Sequence, residues 1–461
     1  SNWVAAYASL SGALPLAGGT MTGNIVLGTN TVGGLQITTT ATENIGLGSG
    51  AVDSITTGDY NTGVGHNSLT ANTTGHRNSA FGRASLAANT TGTYNTTIGM
   101  SSLTANTEGE YNTASGAYAL TANITGSYNT AVGSYALTAN TTGSSNVASG
   151  YQSLKANTTG NINTAVGLSA LQANTTGANN SALGVNALAT NSTGGDNVAI
   201  GYQSLLLNTT ASNNTAVGNA SLKANTTGAN NVSVGYRSLY QNTTGAANGA
   251  LGAYALDANT TAAYNTGVGY HSLGANTTGY KNTAVGNFSL RYNTTGWQNT
   301  AFGYLALEAN ISGTNNVANG MYSLYSNTTA SGNIANGYQS MYRNTTGAEN
   351  VAVGGASLFN NTTASYNTAV GYTAGYSNVT GVEMVALGYE ALYASTATGN
   401  TGLGYKAGKS TTSADDCTFV GAFAGTTNTT GSNNTSVGFN SLGANTTGYS
   451  NSAIGANSLD A

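Results

Sequence analysis

The sequence has few charged residues, one proline and one cysteine. Only 10 Lys and Arg and 14 Asp and Glu occur in 461 residues, which gives a net charge of −4. Ten scattered cations form no basic stripe, so we expect no nucleic-acid partner. The single cysteine, Cys417, excludes an intramolecular disulfide framework. No apolar run approaches the roughly 20 residues that span a bilayer, so we expect no membrane insertion.

What the sequence has in abundance is a 17-residue repeat. The stretch 129–145, NTAVGSYALTANTTGSS, returns in 25 copies whose shared glycine runs from Gly48 to Gly455, with one spacing of 16 between Gly388 and Gly404. We number the positions 1 to 17 from the first Asn. Gly occupies the fifth position in all 25 copies, Leu the ninth in 20 and Asn the twelfth in 21, while the fourth is apolar nearly throughout. A fixed short period of this kind indicates a solenoid.

The repeat predicts two short strands in each coil. The NTAVG and SLxAN blocks are rich in Val, Thr, Leu and Tyr, and Asn-Thr-Thr-Gly separates them as a turn. We expect the fourth-position aliphatic and the ninth-position Leu to form two core ladders, and the twelfth-position Asn to take left-handed geometry and bond the adjacent coil. The fifth-position Gly has two interpretations, a positive φ or a close backbone approach. The tenth position carries charged and polar residues and should face water: Lys155, Gln172, Asp257, Arg291 and Glu308.

A single coil is too thin to be stable by itself. Burying one Val and one Leu contributes about 1.5 to 3 kcal/mol each, whereas ordering each residue's backbone costs about 1 to 2 kcal/mol. We therefore predict an all-β, elongated parallel β-roll or β-helix solenoid of about 25 coils that assembles as a homotrimer, the sister chains covering the small Ala and Gly positions of NTAVG. At about 4.8 Å per coil its length is on the order of 120 Å.

The chain divides into two parts by composition. Residues 1–43 contain the only proline, Pro15, and one of two tryptophans, Trp3, and their first dozen residues predict a short helix. We interpret 1–43 as a connector or attachment segment and 44–461 as the repeat shaft. The chain starts without Met and stops within a coil, so we expect a segment of something longer.

Two stretches resemble known families. Leu14 to Gly28, LPLAGGTMTGNIVLG, resembles a motif of bacteriophage tail-fibre proteins that precedes a fibrous region. The NTAVG block followed by SxA or SLxAN is similar to the head repeat of trimeric YadA-like adhesins, N-S-V-A-I-G, which builds a left-handed parallel β-roll from three chains. The present repeat departs from it in its uniform period and in Thr or Ser where the adhesin motif has an aliphatic residue.

These resemblances imply a structural, trimeric tail-fibre shaft of a bacteriophage, located in the extracellular virion tail and supporting attachment to a host. Its expected partners are its own copies, other tail or baseplate proteins, and a glycan or protein receptor on the host surface. The alternative is a bacterial YadA-like trimeric adhesin at the cell surface. Ice binding is a third hypothesis, but the Thr residues lie mostly in turns and not as Thr-x-Thr pairs, so we expect no thermal hysteresis.

Candidate reactive residues are few and scattered. His66, His76 and His271 fall at the sixth, sixteenth and seventh positions of distant coils, which favours surface residues over a metal site or general base. Asp415 and Asp416 form the only adjacent acidic pair, too few ligands for Ca²⁺. We predict no catalytic, cofactor-binding or metal-binding residue, no cofactor and no enzymatic activity.

Three further features carry open alternatives. The 28 tyrosines cluster at the last position or the sixth, where they either stack on sugars or seal seams between chains, and we favour the seams. The recurring Asn-Thr-Thr is a formal glycosylation sequence, which we interpret as turn chemistry. Between Gly371 and Gly425, glycine replaces the ninth-position Leu three times, which predicts a thinner, less stable core from sequence drift, or else a bend or binding patch.

Overall fold

A computed structural model describes residues 35–36 and 43–460, in two compact units, Ser1–Thr159 and Gly160–Ala461. The predicted connector lies outside the described residues except for 35–36 and 43, as do its helix and the LPLAGGTMTG motif. Each coil from residue 44 onward contributes one three-residue strand, and the described residues contain no helix. The predicted all-β parallel solenoid is confirmed.

The unit Ser1–Thr159 contains eight of the strands. Strand β1 pairs antiparallel with β2, Leu35 opposite Leu47, and β2 to β8 pair in parallel with a shift of one repeat. The strands are β1 (Leu35–Gln36), β2 (Ile45–Leu47), β3 (Thr62–Val64), β4 (Ser79–Phe81), β5 (Thr96–Ile98), β6 (Thr113–Ser115), β7 (Thr130–Val132) and β8 (Val147–Ser149).

The unit Gly160–Ala461 contains the other eighteen strands, all paired in parallel with like positions opposite each other. The one 16-residue spacing, between Gly388 and Gly404, does not change the strand register, since Val385 still lies opposite Thr401. The strands are β9 (Thr164–Val166), β10 (Ser181–Leu183), β11 (Val198–Ile200), β12 (Thr215–Val217), β13 (Val232–Val234), β14 (Gly249–Leu251), β15 (Thr266–Val268), β16 (Thr283–Val285), β17 (Thr300–Phe302), β18 (Val317–Asn319), β19 (Ile334–Asn336), β20 (Val351–Val353), β21 (Thr368–Val370), β22 (Val385–Leu387), β23 (Thr401–Leu403), β24 (Thr418–Val420), β25 (Thr435–Val437) and β26 (Ser452–Ile454).

The side chain that each strand contributes to the core is the one at the third position of the repeat, not the one at the fourth. Ala284 at the third position is fully buried, together with Ser289 and Leu290 at the eighth and ninth. Fourth-position side chains point outward, and Leu183 and Ile98 are 50% and 52% exposed. Our prediction of a fourth-position core ladder is therefore wrong, and the small third-position residue is covered within the single chain. Alternate strand residues point to opposite faces, so only one of these two positions can face the core.

The SLxAN block forms turns, so the predicted second strand is wrong. In the coil 282–298, the Ser289 N–H donates to Gly286 O and the Asn293 N–H to Leu290 O, both across three residues at 3.2 Å. Left-handed φ values of 60° at Phe288 and 49° at Leu290 prevent extension there. The left-handed residues lie at the seventh, ninth and seventeenth positions, not at the twelfth-position Asn as we expected.

Both interpretations of the fifth-position glycine hold. Gly286 has a φ of 134°, which L side chains rarely adopt, and a Cβ on it would lie 2.4 Å from Gly303 O of the next coil. The residue therefore ends the strand and lets consecutive backbones approach closely.

Two columns of buried asparagine join the coils; by a column we mean one position taken through successive coils. At the first position, Asn299 donates its Nδ2 to Asn282 Oδ1 at 3.2 Å and its backbone N–H to the same oxygen at 2.9 Å. At the twelfth, Asn293 Nδ2 donates to Asn276 Oδ1 at 2.8 Å and to Gly296 O at 2.9 Å. The predicted amide bonding between adjacent coils is confirmed at the twelfth position and extends to the first.

The core between Gly371 and Gly425 is filled by larger residues from other positions. A Cβ on Gly375 would lie 2.4 Å from Met384 Cε, and one on Gly408 would lie 2.5 Å from Phe419 Cδ2. Phe419 occupies the third position, where most coils have Ala, and is fully buried. The predicted thinning of the core is therefore wrong, because Met384 and Phe419 occupy the space that the missing leucines leave.

Candidate functional site

The outward side of the strands, formed by the second and fourth positions, is an uncharged surface that we call the strand face. Thr, Ser, Val, Ile and one Gly occupy the second position, and aliphatic residues or Phe occupy most fourth positions. Leu251 and Phe302 are 46% and 43% exposed. All charged residues of the 25 repeats lie at other positions. Exposed apolar side chains without charge are typical of a surface that another molecule covers.

Aromatic side chains form stacked columns at other positions of the repeat. The longest is at the tenth position, where five rings in consecutive coils lie 5.0 to 5.2 Å apart with interplanar angles of 3 to 11°. Its members are Tyr325, Tyr342, Phe359, Tyr376 and Tyr393. Tyr94, Tyr111 and Tyr128 stack in the same way at the seventeenth position. Rings stacked from coil to coil cover each other's faces, so inside these columns no face is free for a sugar. That tyrosines seal seams between chains stays a prediction.

The sixth-position tyrosines are oriented differently. Tyr254, His271 and Phe288 stack along the seventh-position column with interplanar angles of 3° and 11°. The sixth-position ring of Tyr270 stands at 85° to all three, and that of Tyr236 at 83° to Tyr254. These two ring planes therefore run along the stack of coils, and the neighbouring coils do not cover their faces with a stacked ring.

The charged groups pair locally at the seventh and tenth positions. Lys409 Nζ lies 2.6 Å from Glu390 Oε2, and this hydrogen bond lowers the pKa of the Glu390 carboxyl. Arg291 lies 3.7 Å from Glu308, which is only 7% exposed. The tenth position therefore does not simply face water as we predicted, because Glu308 is buried beside a cation. Such pairs neutralise each other and support the coils instead of forming a charged binding surface.

The candidate reactive residues do not converge. In the unit Gly160–Ala461, burial and then the Arg291 charge lower the pKa of His271, which leaves the imidazole neutral near pH 7. His76, in the other unit, packs edge-on against Tyr94 at 5.6 Å. Burial raises the pKa of the Cys417 thiol, whose Sγ donates to Gly431 O at 3.2 Å in the place of the first-position Asn. Among residues 43–460, no three His, Cys, Asp or Glu side chains approach one another closely enough to hold a metal ion.

The recurring Asn-Thr-Thr is a structural turn, as we interpreted it. Asn293 is fully buried, and its Nδ2 donates both hydrogens to protein oxygens. Thr294 Oγ1 donates to Ile311 O of the next coil at 3.1 Å. The folded coil therefore gives a glycosylating enzyme no access to this amide.

Comparison with known proteins gives no further guide to function. No protein-family model matches the chain, and no curated protein matches its sequence. Within the described part of the chain, no helix has the length and apolar character needed to cross a membrane. The strand face and the sixth-position tyrosines are the features of the described residues that bear on function.

Proposed function

We propose that this chain is the shaft of a bacteriophage tail fibre, built from three copies that pack through their strand faces and hold an attachment tip at a distance from the virion. The observation that carries the proposal is the uncharged, half-exposed strand face, which repeats in every coil. The sequence resemblance of residues 14–28 to tail-fibre proteins adds support from outside the repeats.

The size of the strand face fits an interface between copies. In the unit Gly160–Ala461, eighteen strands about 4.8 Å apart form a strip about 80 Å long and about 10 Å wide across its side chains. That is on the order of 800 Å², the area that one partner contributes to a stable protein interface. A copy of the same chain has the same spacing, so apolar residues can meet apolar residues along most of the strip.

The coil-to-coil bonds suit a mechanical role. Thr283 N donates to Asn299 O at 2.8 Å and Leu290 N to Ala306 O at 3.0 Å, on two different sides of one coil. A force along the stack therefore loads many parallel bonds at once. Length can change by whole coils without changing these contacts.

The first experiment places charge on the strand face. Leu251→Lys combined with Phe302→Lys should lower the mass of the assembly from three chains to one in light scattering. The control, Thr261→Lys with Ser312→Lys, adds the same charge to exposed turn positions of the same coils and should leave the mass unchanged. A wild-type chain that is monomeric at micromolar concentration would disprove the trimer.

The second experiment asks where the chain occurs. Mass spectrometry of purified virions should detect its peptides. Their absence from virions together with their presence on bacterial surfaces would reject the phage assignment in favour of the adhesin.

A further inference from the structure

The sixth position contains an alternation that the 17-residue repeat does not require. From residue 202 to 372, tyrosine occurs in every second coil, and smaller or unbranched residues occur in the coils between. The tyrosines are Tyr202, Tyr236, Tyr270, Tyr304, Tyr338 and Tyr372, and the intervening residues are Asn219, Ala253, Asn287, Met321 and Gly355. The tyrosine side chains are 43 to 58% exposed. We call the first five of them, Tyr202 to Tyr338, the tyrosine track, because Tyr372 stacks on Tyr389 of the next coil.

The alternation controls ring orientation. Where tyrosines occupy the sixth position of consecutive coils, at Tyr372, Tyr389 and Tyr405, the rings stack 5.8 and 5.4 Å apart at 16° and 14° and cover each other. Inside the track, Tyr270 stands at 85° to the rings packed against it. Skipping one coil therefore leaves these rings without a stacked neighbour, and they recur about every 9.6 Å, twice the strand spacing.

We propose that the tyrosine track binds an extended, uncharged polysaccharide of 1,4-linked pyranoses with equatorial linkages. In such a chain successive sugars are turned over, so the same face recurs at every second sugar, which matches a platform at every second coil. The polarised C–H bonds of a pyranose face are attracted to the negative face of an aromatic ring. This inference does not depend on the proposed shaft function.

The charges near the track favour a neutral ligand. The second, fourth and sixth positions of the unit Gly160–Ala461 contain no charged residue. Two arginines beside the track each face a carboxylate, since Arg237 Nε lies 3.7 Å from Asp257 Oδ1 and Arg291 lies 3.7 Å from Glu308. The positions of the track and of the strand face in this unit therefore offer an acidic polysaccharide no cation.

A second copy of this chain explains the alternation less well. Apolar residues recur at the fourth position of most coils with no two-coil alternation, so an interface between copies requires only the one-coil period. The two-coil period is confined to the sixth position, on the far side of the fifth-position glycine from the strand face.

The test uses the full chain in affinity electrophoresis with hydroxyethyl cellulose and glucomannan as probes and alginate as the acidic comparison. Wild type should be retarded by the neutral polymers and not by alginate. The variant Tyr236→Ala/Tyr270→Ala/Tyr304→Ala should lose this retardation, each tyrosine contributing about two- to tenfold in affinity. The control Tyr264→Ala/Tyr366→Ala removes tyrosines of similar exposure at the seventeenth position and should bind like wild type.

A second variant tests the alternation itself. Ala253→Tyr adds a ring between Tyr236 and Tyr270, and the three should stack as the Tyr372 group does, so affinity should fall although an aromatic residue has been added. Circular dichroism must match wild type for each variant. The proposal is overturned if neither neutral polymer binds, if the triple variant binds like wild type, or if Ala253→Tyr binds better than wild type. It is also overturned if the only effect of the triple variant is to dissociate the assembly, because that result would assign the track to contacts between copies. Virion proteomics is independent of these results, so either proposal can fail alone.

Discussion

Truncating a single first-position asparagine should lower the free energy of unfolding substantially. Asn282 is the best residue at which to measure this loss. Asn282 Nδ2 donates to Gly296 O at 2.9 Å. Its Oδ1 accepts both the backbone N–H and the Nδ2 hydrogen of Asn299. The substitution Asn282→Ala removes all three bonds but keeps the backbone N–H that donates to Asn265 Oδ1 at 2.9 Å.

The cost follows from which groups lose every partner. Gly296 O keeps the bond from Asn293 Nδ2, and Asn299 Nδ2 keeps the one to Gly313 O. The Asn299 N–H is left buried without its acceptor, which costs about 1 to 3 kcal/mol. The space that the amide filled adds a smaller cavity cost, so we expect about 2 to 4 kcal/mol in total.

Replacement by Asp tests the same site through pH. A carboxylate at residue 282 still accepts from Asn299 but cannot donate to Gly296 O, and its burial raises its pKa above the unfolded value of about 4. The folded state then holds the proton more tightly than the unfolded state. Stability of Asn282→Asp should therefore be nearest to wild type below pH 4 and should fall as pH rises through the raised folded pKa.

The measurement is urea unfolding followed by the fluorescence of Trp297. Trp297 is at the sixteenth position of the same coil and stacks on Tyr280 at 5.7 Å, so it reports this region in a Trp3→Phe background. The control Thr295→Ala removes an exposed side chain from the same coil and should cost less than about 0.5 kcal/mol. If Asn282→Ala and Thr295→Ala unfold at the same urea concentration, the asparagine column does not hold the coils together.

Three further predictions concern other positions. Gln298 is exposed with a φ of 55°, so Gln298→Gly should raise the free energy of unfolding by up to about 1 kcal/mol and Gln298→Val should lower it, both measured by urea titration. Gly286→Ala should lower the free energy of unfolding by more than about 3 kcal/mol, since φ is 134° and the new methyl group meets Gly303 O. A loss below about 1 kcal/mol would refute the close approach of these two backbones. By NMR, the pKa of His271 should lie below 6.5, and Arg291→Gln should raise it only part of the way, because burial is the larger cause. The contribution of the neutral His271 imidazole to the free energy of unfolding is complete above pH 6.5 and is lost as pH falls through the lowered pKa of the folded state.

The period and the invariant positions were predictable from sequence, because a stacked fold places like residues above one another. Gly at the fifth position and Asn at the twelfth both have the inter-coil roles that their invariance indicated. The strand face was not predicted, because hydropathy alone favours burying the larger fourth-position residue over the Ala at the third.

The third position is small for a reason that only packing shows. A Cβ on Gly402 would lie 2.8 Å from Leu392 Cγ, the ninth-position residue of the preceding coil. Leucine thus fills the space, and the third position has room only for small residues, which are Ala, Gly, Ser or Thr in every coil but that of Phe419. Phe419 is the matching exception, because the ninth-position residues beside it are Gly408 and Gly425. The sequence contains this exchange between positions, but it is visible only once the third and ninth positions are known to meet.

The backbone geometry explains why stability must come from neighbouring coils. Each regular coil places three residues, such as Phe288, Leu290 and Gln298, at φ values near 50 to 60°. A non-glycine residue in this conformation costs about 1 to 2 kcal/mol, so the conformation of one coil is strained by about 3 to 6 kcal/mol. The backbone N–H groups of these three residues all donate to other coils, as from Phe288 N to Tyr270 O and from Leu290 N to Ala306 O. An interior coil offsets this strain through bonds to two neighbours and a terminal coil through bonds to one. The stack of coils should therefore open from its ends.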